Sequence, residues 1–137
     1  MRVYLDSSSF AKRFLEEEGS EDVEAICAEA TELGLAVLCV PELVSAFNRR
    51  RREGSLTQDQ YDVVKRRLSE DVRDADIIHL TTSVVRSSIA ILEASPVRTL
   101  DALHVACALE WRAELFVSSD KRQLDAAKRA RLKIREV

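Results

Sequence analysis

Short apolar runs, each too brief for a helix, alternate along this chain with longer segments of helical period. That alternation limits the possible folds more than any other feature. Residues 3–5, 36–40, 77–80 and 115–117 read as strands, and 133–137 as an edge strand. The run at 36–40 is apolar throughout, the mark of a strand covered on both faces. Between the runs lie helical patterns. Phe10, Ala11, Phe14 and Leu15 share one face before Gly19, and Val23, Ile26, Cys27, Ala30 and Leu33 share another that ends at Gly34. Pro41 suits the first position of a helix running to about Arg52, because its missing N–H costs little there. Tyr61, Val64, Leu68 and Val72 mark a long helix, and Thr82 or Ser83 opens the next. Thr99 is a good N-cap for a helix carrying Leu100, Leu103, Ala106, Cys107 and Trp111, and a last helix spans 120–130. Strands alternating with helices predict an α/β sandwich on a parallel sheet. With 3 glycines, 2 prolines and no low-complexity linker among 137 residues, the expectation is one domain, 1–137.

Acidic residues recur where these runs end or the next helix starts: Asp6, Glu42, Asp101 and Asp120. In an α/β domain with parallel strands, the strand ends on one edge are where loops converge into a site. Carboxylates gathered there repel one another unless something positive lies between them. The simplest candidate is a divalent cation with hard oxygen ligands, Mg²⁺ or Mn²⁺. Each acid also has a plainer explanation. Asp6, before Ser7-Ser8-Ser9, and Asp120, after Ser118-Ser119, are both good helix caps. Glu42 falls in a first helical turn, where the helix dipole favours it. Asp101 is less easily explained by capping, since Thr99 already offers a cap. His104, three residues on, lies on nearly the same face and reads as a part-buried structural histidine, with support of the carboxylates as the alternative.

Composition narrows the function. Aromatics are only 5%, which argues against an aromatic platform for stacked bases. A net charge of −3, from 21 basic and 24 acidic side chains, excludes a protein that is basic overall and coats nucleic acid unselectively. Basic stripes remain at Arg49–Arg52, at Lys65-Arg66-Arg67 and in the tail, and these are compatible with an RNA or an acidic peptide. Cys27, Cys39 and Cys107 show no CxxC spacing and read as buried free thiols in a reducing compartment. No apolar run reaches the ~18 residues of a membrane span. The chain starts directly in a strand-like run without a secretory core, so the expected location is the cytoplasm.

Taken together, Val3-Tyr-Leu-Asp6-Ser-Ser, Pro41-Glu42-Leu-Val-Ser-Ala-Phe with its trailing arginines, Arg98-Thr-Leu-Asp101-Ala-Leu-His and Leu115-Phe-Val-Ser-Ser-Asp120 resemble the PIN domain, in particular the VapC-type toxin ribonucleases. The resemblance spans essentially the whole chain. Ser118 stands where that family often carries threonine, which keeps the hydroxyl. The resemblance implies a three-layer α/β/α sandwich with a mostly parallel central sheet of about five strands. It further implies one acidic pocket built from Asp6, Glu42, Asp101 and Asp120, with Mg²⁺ as cofactor and Mn²⁺ as a substitute.

On that reading Asp6, Asp101 and Asp120 hold the metal, and Glu42 acts through water or orients the nucleophile. Ser7 and Ser118 offer hydroxyls to water or phosphate. Arg49 and Arg50 are candidate phosphate contacts, although a solvated basic helix end accounts for them as well. The implied activity is endonucleolytic cleavage of RNA, with a VapB-type antitoxin as partner and a homodimer as the assembly. The alternatives are a PIN nuclease of RNA processing that is not a toxin, and a non-catalytic metal- or protein-binding module. An aspartyl-phosphate enzyme fits poorly, because Asp6-Ser7-Ser8 has no second aspartate two positions on.

Overall fold

A computed structural model describes residues 1–137. In chain order the elements are β1 Arg2–Leu5, α1 Ser7–Ala11, α2 Ser20–Glu29, β2 Glu32–Ala36, α3 Cys39–Arg52 and α4 Gln58–Asp71. They continue with β3 Asp76–Ile78, α5 Thr82–Ala94, α6 Thr99–Glu110, β4 Leu115–Ser118, α7 Lys121–Arg129 and β5 Ile134–Glu136. The five strands form one sheet in the order β3-β2-β1-β4-β5, every pair parallel. The expected α/β sandwich is borne out, with a sheet that is wholly rather than mostly parallel. No helix is long and apolar enough to cross a membrane.

Strand alternation divides the core in two. Val3, Leu5, Leu35 and Val117 face one side and pack with Phe10, Leu43, Phe47 and Leu68 from α1, α3 and α4. Tyr4, Ala36 and Phe116 face the other and pack with Val84, Val105 and Leu124 from α5, α6 and α7. Both faces of the sheet are covered, which is why the strands read as apolar runs. Tyr4 and Phe116, on neighbouring strands, stack with centroids 5.5 Å apart and planes 8° from parallel.

Several boundaries differ from the sequence reading. The second strand is Glu32–Ala36, not 36–40. Its register pairs Arg2 with Glu32 and Tyr4 with Gly34. Gly34 is therefore no helix stop: the indole of Trp111 lies so close that a Cβ there would sit 2.7 Å from the ring. Residues after Ala36 turn into α3, which begins at Cys39, so Pro41 is its third residue and not its first. Proline is tolerated there because no N–H of the first turn has an intrahelical partner. Cys39, Leu43 and Phe47, four residues apart and all buried, are the helical face that the strand-like run concealed. The helix after β1 stops at Ala11, although Phe14 and Leu15 still turn into the core. Thr99 is the first residue of α6 and not its cap; the carboxylate of Asp101 accepts the backbone N–H of Arg98, the capping position, at 3.2 Å.

The chain leaves β1 for β2 and β3 on one side, then returns to β4 and β5 on the other. The carboxyl ends of β1 and β4 therefore flank the switch point of the sheet, where loops part and leave a crevice. Asp6 follows β1 and Ser118 ends β4, and the Asp6 N–H donates to the Val117 carbonyl at 3.2 Å.

Candidate active site at the switch point of the sheet

Asp6 is 1% exposed, yet it has no basic partner in the chain. Hydroxyls and one amide satisfy it. Ser8 Oγ lies 2.9 and 2.7 Å from its two oxygens, Ser9 donates from both N–H and Oγ at 2.9 and 2.8 Å, and Ser118 Oγ donates at 2.8 Å. The Ser9 N–H contact makes Asp6 the cap of α1, so the capping reading holds for this residue. The serine run after β1 and the serine closing β4 thus build one cage around one buried anion. Ser118 Oγ in turn accepts the N–H of Asp120 at 2.9 Å, which ties the ends of β1 and β4 together.

Asp120 caps α7, accepting the N–H groups of Arg122 and Gln123 at 2.9 and 3.3 Å. Gln123 extends the link to α6: its Nε2 donates to Asp101 Oδ1 at 2.9 Å. Asp101, Asp120, Arg98, Lys121 and Arg122 line one cavity of about 460 Å³. Asp101 and Asp120, like Asp6, form no ion pair.

Glu42, in the first turn of α3, borders a larger cavity of about 780 Å³ with Ser7, Ser8, Lys12, Arg49 and Arg50. Ser119 and Leu100, each one residue before an acid of the smaller cavity, also line the larger one. Its carboxylate accepts from Ser7 Oγ at 2.9 Å and from His104 Nε2 at 2.7 Å. Burial pushes the Glu42 carboxyl up, but the hydrogen bonds from His104 and from the Ser7 hydroxyl outweigh it and hold Glu42 below its ordinary value. His104 is 1% exposed, and its Nδ1 lies 2.8 Å from the buried Tyr4 hydroxyl. Burial, and after it the neighbouring Cys107, Cys39, Asp6 and Glu42, raise the Tyr4 pKa well above its ordinary value, so the phenol keeps its proton. A neutral imidazole satisfies every partner: Tyr4 donates to Nδ1, and Nε2–H donates to Glu42. His104 is therefore both buried in the core and in contact with a site carboxylate.

Hydrogen bonds gather the four acids into two groups, which meet through the adjacent residues Ser7 and Ser8. Asp6, Ser118, Asp120, Gln123 and Asp101 form one chain of contacts; Glu42, Ser7, His104 and Tyr4 form the other. No three His, Cys, Asp or Glu side chains stand close enough together to hold a metal ion as they are placed. Hydroxyls, an amide and an imidazole separate them. The donor chemistry nevertheless suits a hard cation: the set is oxygen-rich, and three of its four carboxylates lack any cationic partner. Ser119 Oγ and Gln123 Oε1 are buried oxygens without a hydrogen-bond partner, and both belong to the residues bordering these acids. Buried polar atoms are rarely left so, which points to water or an ion at this edge.

The predicted basic contacts divide. Arg49 and Arg50 border the larger cavity, with Arg50 3.5 Å from Glu17. Arg51 turns away, its guanidinium over the Tyr61 ring and bonded to Gln58 and Asn48. Sequence reasoning missed Gln123, Ser8, Ser9, Tyr4 and the basic trio Arg98, Lys121 and Arg122. Gln123 alone had a usable signal, since it stands three residues after a capping aspartate.

A family model described as the PIN domain matches residues 3–129. Among solved structures, FitAcB from Neisseria gonorrhoeae aligns at 14% identity and a TM-score of 0.71, covering 96% of this chain and 95% of that one. VapBC2 from Rickettsia felis, bound to a DNA fragment from its promoter, aligns at 12% identity and 0.70, covering 100% and 99%. VapC20 of Mycobacterium tuberculosis, a toxin that cleaves the sarcin-ricin loop, aligns at 12% identity and 0.70, covering 90% and 94%. No curated protein matches the chain.

Proposed function

The chain belongs to the PIN-domain family, and from that premise we propose that it is a metal-dependent endoribonuclease, the toxin of a VapBC-type toxin–antitoxin pair. The observation that carries the proposal is the set of carboxylates without cationic partners at the switch point: Asp6, Asp101 and Asp120, with Glu42 bonded only to Ser7 and His104. Hydrogen bonds orient these acids without neutralising them, and a bound cation would supply the missing positive charge.

Asp6, Asp101 and Asp120 would hold the metal, Mg²⁺ with Mn²⁺ as substitute, directly or through water. When bound, such an ion neutralises phosphate oxygens and lowers the pKa of water beside it. The chain's own residues do the rest. Ser8, Ser9 and Ser118 fix the Asp6 carboxylate from three sides. Gln123 holds Asp101 beside Asp120. Glu42, kept ionised by His104 and Ser7, orients the attacking water and accepts its proton. The water oxygen forms a bond to phosphorus as the bond to the 3′ oxygen breaks; that oxygen leaves as an alkoxide and takes a proton from solvent water, and the product carries a 5′-phosphate.

The antitoxin and the dimer belong to the same proposal. The structural neighbours include toxin–antitoxin assemblies, and an inhibitor arginine would pair well with the half-buried carboxylates of Glu42, Asp101 and Asp120. The test is RNA cleavage by partner-free protein with Mg²⁺, with Mn²⁺ and with chelator, beside Asp6→Asn. Cutting that needs the metal and disappears in the variant is the expected result. A 2′,3′-cyclic phosphate product would refute the water-attack mechanism, and cleavage undiminished by chelator would refute the metal.

A further inference from the structure

The cations in the two cavities are not equivalent. Those of the larger cavity are partly spent: Arg50 faces Glu17, and Lys12 Nζ donates to the Glu18 carbonyl. Arg98, Lys121 and Arg122 in the smaller cavity have no side-chain hydrogen bond, ion pair or aromatic partner in the chain. Asp101 and Asp120 line the same cavity but bond to Gln123 and to backbone N–H groups instead.

Their place in the fold makes them stranger still. Arg98 is the capping residue of α6, and Lys121 and Arg122 are the first two residues of α7. Helix N-termini are electropositive, so a cation there is disfavoured, whereas Arg49–Arg52 at the C-terminal end of α3 are favoured by the dipole. Folding accounts for the arginine run and does not account for this trio. Local rules broken without a structural return are expected at functional sites.

Resting on the nuclease reading, we propose that Arg98, Lys121 and Arg122 form the backbone-phosphate subsite that holds the RNA strand beside the scissile position. Cations alternating with carboxylates suit a polyanion whose scissile phosphate lies at the acids while its neighbours meet the basic groups. An acidic peptide would meet the unpaired acids with no ion of its own to bridge them. The subsite reads phosphate rather than base, so it sets affinity and register and leaves sequence choice to other residues.

The experiment is fluorescence-anisotropy titration of a mixed-sequence single-stranded RNA over a NaCl series with Mg²⁺, in the Asp6→Asn background to prevent cleavage. The test variant adds Arg98→Gln, Lys121→Gln and Arg122→Gln. A control of equal charge adds Arg73→Gln, Arg112→Gln and Lys133→Gln, exposed residues that precede β3, β4 and β5 at the opposite edge. The expected result is at least a ~10-fold loss of affinity in the test variant and a log–log salt slope smaller by about 2, from ~0.7 per single-strand phosphate contact. The control should keep its slope. Equal losses in the two triples would overturn the subsite while leaving the nuclease reading intact. Competition by polyglutamate at equal charge as effective as by RNA would overturn it in favour of an acidic protein partner. An Asp6→Asn parent that binds no RNA, beside wild-type protein that cuts none, would remove the reading on which the subsite rests.

Discussion

Tyr4→Phe isolates the contact that ties the core to the site. The substitution removes one oxygen and leaves the ring, so the stack on Phe116 at 5.5 Å survives. Tyr4 is fully buried, and its hydroxyl is the partner of His104 Nδ1 at 2.8 Å. Without it, Nδ1 of a histidine that is 1% exposed has no donor in the chain and is shut off from bulk solvent. An unsatisfied buried polar atom costs about 1–3 kcal/mol, whereas a hydrogen bond removed with both its partners costs little. The imidazole cannot escape by changing tautomer, because Nε2–H is committed to Glu42 at 2.7 Å. The expected loss is therefore ~1.5–3 kcal/mol. For a domain between the two size classes usually quoted, that is a fall in Tm of roughly 5–12 °C. Urea denaturation and thermal melts measure it. The double variant Tyr4→Phe/His104→Leu, which removes both partners, should cost less than the sum of the single variants by about 1 kcal/mol or more. A Tyr4→Phe protein within ~0.5 kcal/mol of wild type, or strictly additive variants, would refute the proton arrangement assigned to this chain of contacts.

Glu42 gives a pH test. Its folded pKa lies below the ordinary value of 4.5, so it contributes stability above that value and loses it as pH falls through the folded pKa. Wild type should exceed Glu42→Gln in stability by a constant margin at neutral pH, and the margin should shrink below about pH 4.5; a margin flat across acid denaturation would contradict the shift. Asp120→Ala removes the cap of α7 and should cost ~0.5–2 kcal/mol in denaturation; Asp101→Asn keeps one oxygen for either Gln123 or Arg98 and loses the other bond, a cost of about 0.5–1.5 kcal/mol. Both should abolish RNA cleavage. Gly34→Ala places a Cβ 2.7 Å from Trp111 and should cost about 1–3 kcal/mol. Because Trp111 is the only tryptophan, its fluorescence should change as the ring leaves Asp76 and Arg2; an unchanged spectrum and Tm would mean that the ring accommodates the methyl freely.

The layer order and the placing of the acids were legible because they depend on local pattern. A strand buried on both faces must be apolar, and an acid that ends such a run must emerge at an edge. What misled was a run apolar for two reasons at once. Residues 36–40 are the last residue of a strand, a two-residue turn and the start of a helix, and composition does not separate those states. Only the spacing of Cys39, Leu43 and Phe47 does. Gly34 misled similarly: a glycine after a helical face reads as a stop, whereas here it makes room for an indole that belongs to a residue 77 positions away, from 34 to 111.

The site shows the same limit in its charges. Four consecutive arginines attract notice in a sequence, but successive residues on a helix point about 100° apart, so such a run cannot form one patch. Arg51 lies on Tyr61, Arg50 leans to Glu17, and their neighbours divide between cavity and solvent. Arg98 and Lys121-Arg122 attract none, being one cation before α6 and two at the start of α7. They meet because α6 and α7 pack against each other on the same face of the sheet, and both starts open on one cavity. A contiguous basic run on a helix is dispersed by the helix, while cations at the starts of two packed helices are brought together by the sheet. The second arrangement is the one that can hold a strand of phosphates across a row of acids.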